Sequence, residues 1–210
     1  MKKLIAILVC LASVAGYAGQ KAITDSGETV VLYSNGTWEK EGSNSVNNYS
    51  DVTTVNSIQF KKPVDSSFLL RSTKTNSAIW LNTSKWSFTK SVDNIDAEYE
   101  FRLRGEDVYG MFITEKIEYP IDFLLEATLI NAMSVDPNAK VVKREQRTVN
   151  GETVIYQEIE SQLMGANFTY LYYLHSDSSG STQLIMYTGT KLLNEYQEEI
   201  EGILNGFTLQ

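Results

Sequence analysis

Residues 167–188 read NFTYLYYLHSDSSGSTQLIMYT and contain the richest run of aromatic residues in the chain. Residues 167–175 are dense in tyrosine and leucine, and residues 182–188 are again apolar and β-branched. The polar residues from Asp177 to Gly180 separate these two runs. Aromatic and β-branched runs on either side of such a turn are typical of two paired antiparallel strands. The stretch therefore predicts a β-hairpin and makes the fold at least partly β.

Two further hairpins are predicted before this one in the chain. Asn150-Gly151 lies between the strand-like residues 139–149 and 153–162, and Asn-Gly is the strongest short hairpin signal. Residues 98–104 alternate Tyr, Phe and Leu with Glu and Arg, which is the pattern of a half-buried strand. Residues 108–118 are β-rich and follow after a short turn, so the two runs are predicted to pair.

Two segments have the 3.6-residue periodicity of amphipathic helices. In the first, which begins after Pro120 and ends at Asp136, apolar residues recur at helical spacing as far as Ala132. In the second, apolar residues recur from Leu192 to Leu204, and the following Asn205-Gly206 is a suitable C-terminal cap.

These elements predict an α+β fold: a mainly antiparallel sheet packed with two amphipathic helices, preceded by a small β-meander. The meander is expected over residues 19–41, where Asn35-Gly36 follows a β-rich run. Residues 42–57 are polar without a periodic apolar face, so they are expected to form a linker. Residues 58–210 then form the larger domain.

Residues 1–18, MKKLIAILVCLASVAGYA, have the pattern of a signal peptide. Two lysines precede an uncharged apolar run, and the small residues Gly16 and Ala18 offer a cleavage site after Ala18, with cleavage after Ala15 as the alternative. An uncleaved membrane anchor and a lipoprotein attached at Cys10 are the alternatives. Cleavage predicts an exported bacterial protein, periplasmic or extracellular, with no transmembrane segment left.

The composition excludes several classes of protein. Lys+Arg number 18 against 26 for Asp+Glu, a net charge of -8, so broad electrostatic binding to nucleic acid is not expected. Cys10 is the one cysteine, which excludes a disulfide framework and a cysteine zinc site. Hydrophobic residues make up 42% of the 210, enough for a real core.

The order of elements over about residues 76–210 resembles the PsbP/Mog-like α/β/α sandwich family. The resemblance is carried by the strand at Trp86, the strand of residues 108–118 that leads into the first helix, the VNG turn ending at Gly151, the Tyr-rich strand at Tyr170, and the LNGF sequence ending at Phe207. Members of that family act mostly as assembly factors or binding proteins rather than enzymes. The resemblance concerns the layout and transfers no functional residue.

The chain contains no phosphate-binding glycine motif and no nucleophile-elbow motif, so it predicts no catalytic residue, metal site or cofactor. The candidate binding residues lie on and beside the aromatic strand: Tyr170, Tyr172, Tyr173, His175 and Asp177. His175 is the one histidine, and Asp177 could orient it.

The sequence therefore predicts a non-enzymatic envelope protein that binds a protein partner or acts as an accessory factor. A carrier of a small ligand or metal, and an envelope hydrolase that uses His175, are the alternatives. The partner and the oligomeric state are left open.

Overall fold

The computed structural model describes residues 53–92 and 94–210, the backbone of three short strands nearer the N-terminus, and the side chain of Val30. The chain divides into two compact units, Met1–Ser50 and Asp51–Gln210. In the first unit, β1 (Gln20–Ile23), β2 (Thr29–Leu32) and β3 (Trp38–Lys40) form an antiparallel sheet in that order. The expected signal peptide and most of the expected linker lie outside the described residues.

The second unit is built on an eight-stranded sheet. Its strands are β4 (Thr54–Phe60), β7 (Trp86–Lys90), β8 (Ala97–Leu103), β9 (Val108–Glu115), β10 (Lys140–Val149), β11 (Glu152–Leu163), β12 (Ala166–Asp177) and β13 (Gly180–Gly189). Their order across the sheet is β4-β10-β11-β12-β13-β9-β8-β7, antiparallel throughout except that β4 runs parallel to β10. The three hairpins expected from the sequence are confirmed as β8–β9, β10–β11 and β12–β13.

A second, three-stranded sheet consists of β5 (Phe68–Arg71), β6 (Ser77–Leu81) and β14 (Phe207–Leu209), in the order β14-β6-β5. Gly206 allows β14 to reach β6, because its carbonyl accepts the Trp80 N–H at 2.8 Å. A Cβ atom at Gly206 would lie 2.0 Å from the Trp80 carbonyl oxygen, so only glycine fits there.

Two α-helices cover opposite faces of the main sheet. Helix α1 (Ile121–Val135) packs on β10, β11 and β12, and Gln157 of β11 donates a hydrogen bond to the Leu125 carbonyl of this helix. Helix α2 (Leu193–Leu204) follows a short 3₁₀ turn and packs with the second sheet on the other face. Both helices expected from the sequence are confirmed. Among the described residues, no helix is long and apolar enough to cross a bilayer.

The expected fold class, an α+β sheet packed with two amphipathic helices, is wrong. The chain is mostly β, its main sheet is mixed, and a second sheet shares one face with α2. Helix α1 also separates apolar from polar residues poorly, because Ile130 is 47% exposed and Thr128 is buried. The sequence patterns missed β4, β5 and β14, which are short or on sheet edges and depend on partners distant in the chain.

The start of β4 also corrects the boundary of the expected linker. Thr54 to Ser57 were expected in the linker, but they belong to an edge strand. Val55 and Ile58 of this strand are 73% and 60% exposed, so no alternating apolar face marks it in the sequence. Strand β4 is held in the sheet by backbone pairing with β10.

Candidate functional site

Strand β12 divides the predicted binding residues between the two faces of the sheet. Successive side chains of a strand point to opposite faces, so Tyr170 and Tyr172 lie on the α1 face and Tyr173 lies on the α2 face. All three are buried, with Tyr170 9%, Tyr172 6% and Tyr173 1% exposed. The five candidates therefore do not form one platform.

Tyr170 belongs to a row of stacked tyrosines on the α1 face, which we name the tyrosine ladder: Tyr109 on β9, Tyr187 on β13 and Tyr170 on β12. Tyr187 lies directly opposite both of its partners in the strand register. The ring centroids of each neighbouring pair are 5.6 Å apart, with interplanar angles of 24° and 26°. Arg102 of β8 extends the row, with its guanidinium carbon 5.4 Å from the Tyr109 ring centroid.

One end of the ladder is open to solvent, since α1 packs on β10–β12 and the ladder runs on across β13, β9 and β8. Arg102 is exposed, and Tyr109 and Tyr187 are half-buried. Burial raises the pKa of both tyrosine hydroxyls. The Tyr109 hydroxyl donates a hydrogen bond to Asp107 at 3.2 Å.

The stacking decides which surface a ligand would meet. The Tyr187 ring is stacked between Tyr109 and Tyr170, and the Tyr109 ring is stacked between Tyr187 and Arg102. Such a surface offers apolar edges, hydrogen-bonding groups and one guanidinium, the chemistry of tyrosine and arginine anchors in protein interfaces.

The sequence reasoning missed Tyr109 and Arg102. Arg102 and Tyr109 lie opposite each other in the register of the β8–β9 hairpin, which the sequence predicts. This pair could therefore have been found from the sequence. The Tyr109–Tyr187 pair could not, because it requires β9 to pair with β13 across about 75 residues of chain.

His175 and Asp177 are brought together at the end of β12. The Nε2 atom of His175 lies 3.3 Å from the Asp177 carboxylate, and its Nδ1 atom lies 3.0 Å from the Thr153 carbonyl. Burial alone would raise the pKa of Asp177, but hydrogen bonds from Ser179, His175 and Asn76 outweigh it and lower the pKa to about 2.

Both ring nitrogens of His175 therefore lie beside oxygen atoms of neighbouring groups. A general base needs one unprotonated nitrogen directed at a hydroxyl group. As placed, His175 joins β12 to the start of β11. A hydrolase that uses this residue stays a prediction. Among residues 53–92 and 94–210, no group of three metal-binding side chains occurs.

Tyr173 lies in a buried polar cluster on the α2 face, which we name the Arg147 cluster: Glu145, Arg147, Tyr156, Tyr173 and Asn205. Arg147 donates to the Glu145 carboxylate at 2.6 Å and to the Tyr173 hydroxyl at 3.1 Å. Its guanidinium carbon lies 3.8 Å from the Tyr156 ring centroid. The Tyr173 hydroxyl in turn donates to the Asn205 side-chain oxygen at 2.7 Å, so it is hydrogen-bonded inside the protein, and its role as a binding residue stays a prediction.

Comparison with known proteins adds information on the fold. No protein-family model matches the sequence, and neither does any curated protein. Among solved structures, the chain is similar to cyanobacterial PsbP (CyanoP) from Synechocystis sp. PCC 6803, with a TM-score of 0.54 and 12% identity over 70% of this chain and 95% of that one.

Two further structures are more distant. PA94 of Pseudomonas aeruginosa, a protein of unknown function, gives a TM-score of 0.43 at 12% identity over 68% of this chain and 96% of that one. A protein of Bacteroides thetaiotaomicron VPI-5482 gives 0.44 at 9% identity over 69% and 49%. The likeness to CyanoP carries the conclusion of these comparisons: the chain has a PsbP-like fold.

Proposed function

We propose that the protein is an exported, non-enzymatic binding protein of the bacterial envelope, which acts as an assembly or accessory factor. Its protein partner binds at the open end of the tyrosine ladder. The observation that carries this proposal is the continuous row of Arg102, Tyr109 and Tyr187 across three adjacent strands, with its outer end accessible.

The chemistry of the row supports a protein as the ligand. Tyrosine and arginine are enriched among the residues that contribute most to interface affinity. Here both are held by cross-strand stacking, so little side-chain entropy remains to be lost on binding. The PsbP-like fold is consistent with this role. The PsbP/Mog-like family that the sequence resembles consists mostly of assembly factors and binding proteins.

The N-terminal residues support export. Lys2 and Lys3, an uncharged apolar run and the small residues before Gly19 have the order of a cleavable signal peptide. Mass measurement of the protein recovered from its native cells tests this part, with Gly19 as the expected first residue. An intact N-terminus in the cytoplasm would contradict export.

Affinity capture on envelope extract of the native cells tests the partner. The bait is the mature protein, and its variants are Arg102→Glu and Tyr109→Ala. We expect one stoichiometric, salt-resistant partner whose recovery falls at least about tenfold with either variant, since loss of an interface anchor costs about 2 kcal/mol.

Lys61→Glu is the matched control, because Lys61 is an exposed cation in the segment after β4 and receives the same charge reversal. Its capture should equal that of the unmodified protein. Equal capture by all the variants, with melting temperatures unchanged, would show that the partner does not bind at the tyrosine ladder.

A further inference from the structure

A cleft of about 450 Å³ lies between helix α2, the segment before β5 and the turn between β6 and β7. We name it the α2 cleft. Its lining includes Asp65, Leu81, Trp86, Glu198, Glu199 and Ile203. It lies apart from the tyrosine ladder, which is on the α1 face of the main sheet.

The floor of the α2 cleft is apolar and fixed. Leu81, Trp86 and Ile203 are 1%, 3% and 1% exposed and belong to the hydrophobic core. Gly202 contributes no side chain, and a Cβ atom there would lie 3.4 Å from Pro63 across the cleft. The space is therefore preformed, and an apolar group entering it need not displace the core.

Trp86 supplies a hydrogen-bond donor to this floor. Its indole N–H makes no hydrogen bond with any described residue, and no fully buried side-chain polar atom in residues 53–92 and 94–210 lacks a partner. Trp86 lines the α2 cleft. An indole N–H that faces a ligand can donate to an acceptor such as a peptide carbonyl.

The rim of the cleft is negatively charged. Lys85 lies 3.7 Å from Asp65, and Asn82 donates to the same carboxylate at 2.9 Å, so this lysine is already paired. Glu198 and Glu199 of α2 form no ion pair within the described part of the chain. Two unpaired carboxylates above an apolar floor complement a cation that carries an aliphatic stem.

We propose that the α2 cleft binds a lysine side chain of a partner protein. The aliphatic stem packs on Trp86 and Ile203, the ammonium lies at the acidic rim that Glu198 and Glu199 provide, and a main-chain carbonyl of the partner accepts the Trp86 indole N–H. Lysine fits this arrangement because it combines a flexible apolar stem with a compact charge. The proposal goes beyond the tyrosine ladder and does not depend on it.

NMR titration of the ¹⁵N-labelled protein with N-acetyl-lysine methylamide tests the proposal. We expect saturable shifts of the Trp86 indole N–H and of the Ser66 and Gly202 amides, with a millimolar dissociation constant. The norleucine analogue, which keeps the stem without the charge, and the glutamate analogue should each bind at least about fivefold more weakly.

The double variant E198Q/E199Q should weaken binding of the lysine probe by at least about fivefold. Glu126→Gln, which changes an exposed residue of α1, should leave this binding unchanged. Gly202→Leu, which fills the cleft from α2, should abolish the shifts. Melting curves establish that each variant is folded. If one of E198Q/E199Q and Gly202→Leu does not fold, the other still tests the proposal.

Three outcomes would overturn the proposal: equal shifts with the norleucine analogue, shifts that E198Q/E199Q leaves unchanged, or shifts confined to residues outside the cleft. None of these outcomes bears on the tyrosine ladder, because Arg102 and Tyr109 are unmodified in all of these samples.

Discussion

Glu145 and Arg147, two residues apart on β10, form a buried ion pair on the α2 face of the sheet. Their side chains are 7% and 3% exposed, and the Glu145 carboxylate also accepts hydrogen bonds from Asn56 and Lys143. Removing two charges from water is costly, and this cluster offsets the cost by giving each charge several partners. One of those partners, Asn56, belongs to β4, so the cluster also holds the edge strand.

At the scale of single residues, we predict the effect of Glu145→Gln, which leaves Arg147 buried without its counter-ion. The free energy of unfolding should fall by about 3 kcal/mol, measured by urea denaturation. Lys143→Met is the control. Lys143 pairs with the same carboxylate, but its side chain is 52% exposed, so the free energy of unfolding should fall by less than about 1 kcal/mol. If both variants lose the same free energy of unfolding, burial does not determine how much the Glu145–Arg147 ion pair stabilises the protein.

At the scale of elements, the hairpin between β10 and β11 also fixes the C-terminus. Asn150 has a φ of 53°, which an Asn-Gly turn requires. Its side-chain amide donates to the carbonyls of Asn205 and Phe207 at 2.8 and 2.7 Å, and its side-chain oxygen accepts the Lys62 N–H at 2.9 Å. One turn residue thus joins the end of α2, β14 and the segment after β4.

Asn150→Gly keeps the positive φ and removes these three hydrogen bonds. We expect a loss of about 2–3 kcal/mol in the free energy of unfolding and faster amide hydrogen exchange in β14 and at Lys62. Asn167→Gly removes one exposed hydrogen bond and should cost about 1 kcal/mol or less. Unchanged exchange in β14 would show that pairing with β6 alone holds this strand.

At the scale of the whole molecule, several carboxyl groups have pKa values that the fold shifts. Burial alone would raise the pKa of Glu145, but hydrogen bonds from Lys143, Arg147 and Asn56 lower it from 4.5 to about 2. The pKa of Asp177 is lowered from 3.8 to about 2. The pKa of Glu98 is also lowered, because hydrogen bonds from Thr114, Thr73 and Ser72 outweigh the effect of its burial. Burial raises the pKa of Glu115, which acts in the opposite direction.

We therefore predict that the protein loses stability in acid. A carboxyl group whose pKa is lower in the folded than in the unfolded state stabilises the fold above its unfolded value and ceases to do so as the pH falls through its folded value. For Glu145 and Asp177 this window runs from about pH 5 down to about pH 2. Urea denaturation at pH 6, 4 and 2.5 measures it; a constant midpoint would contradict the prediction.

The amino-acid sequence by itself determined the local elements. Asn150-Gly151 specified a hairpin turn, Pro120 and Asp136 marked the ends of α1, and Asn205-Gly206 marked the end of α2. These signals are readable because they depend on backbone conformations available to a few adjacent residues. The overall PsbP-like layout could also be expected from the order of these elements.

The tertiary structure alone decided the second sheet and the candidate sites. Strand β14 is three residues long and exists through its pairing with β6, more than a hundred residues earlier in the chain. The tyrosine ladder needs β9 beside β13, and the α2 cleft needs Trp86 and Glu198 in one place. Sequence periodicity assigns residues to faces, but which strands become neighbours depends on non-local packing that no local pattern records.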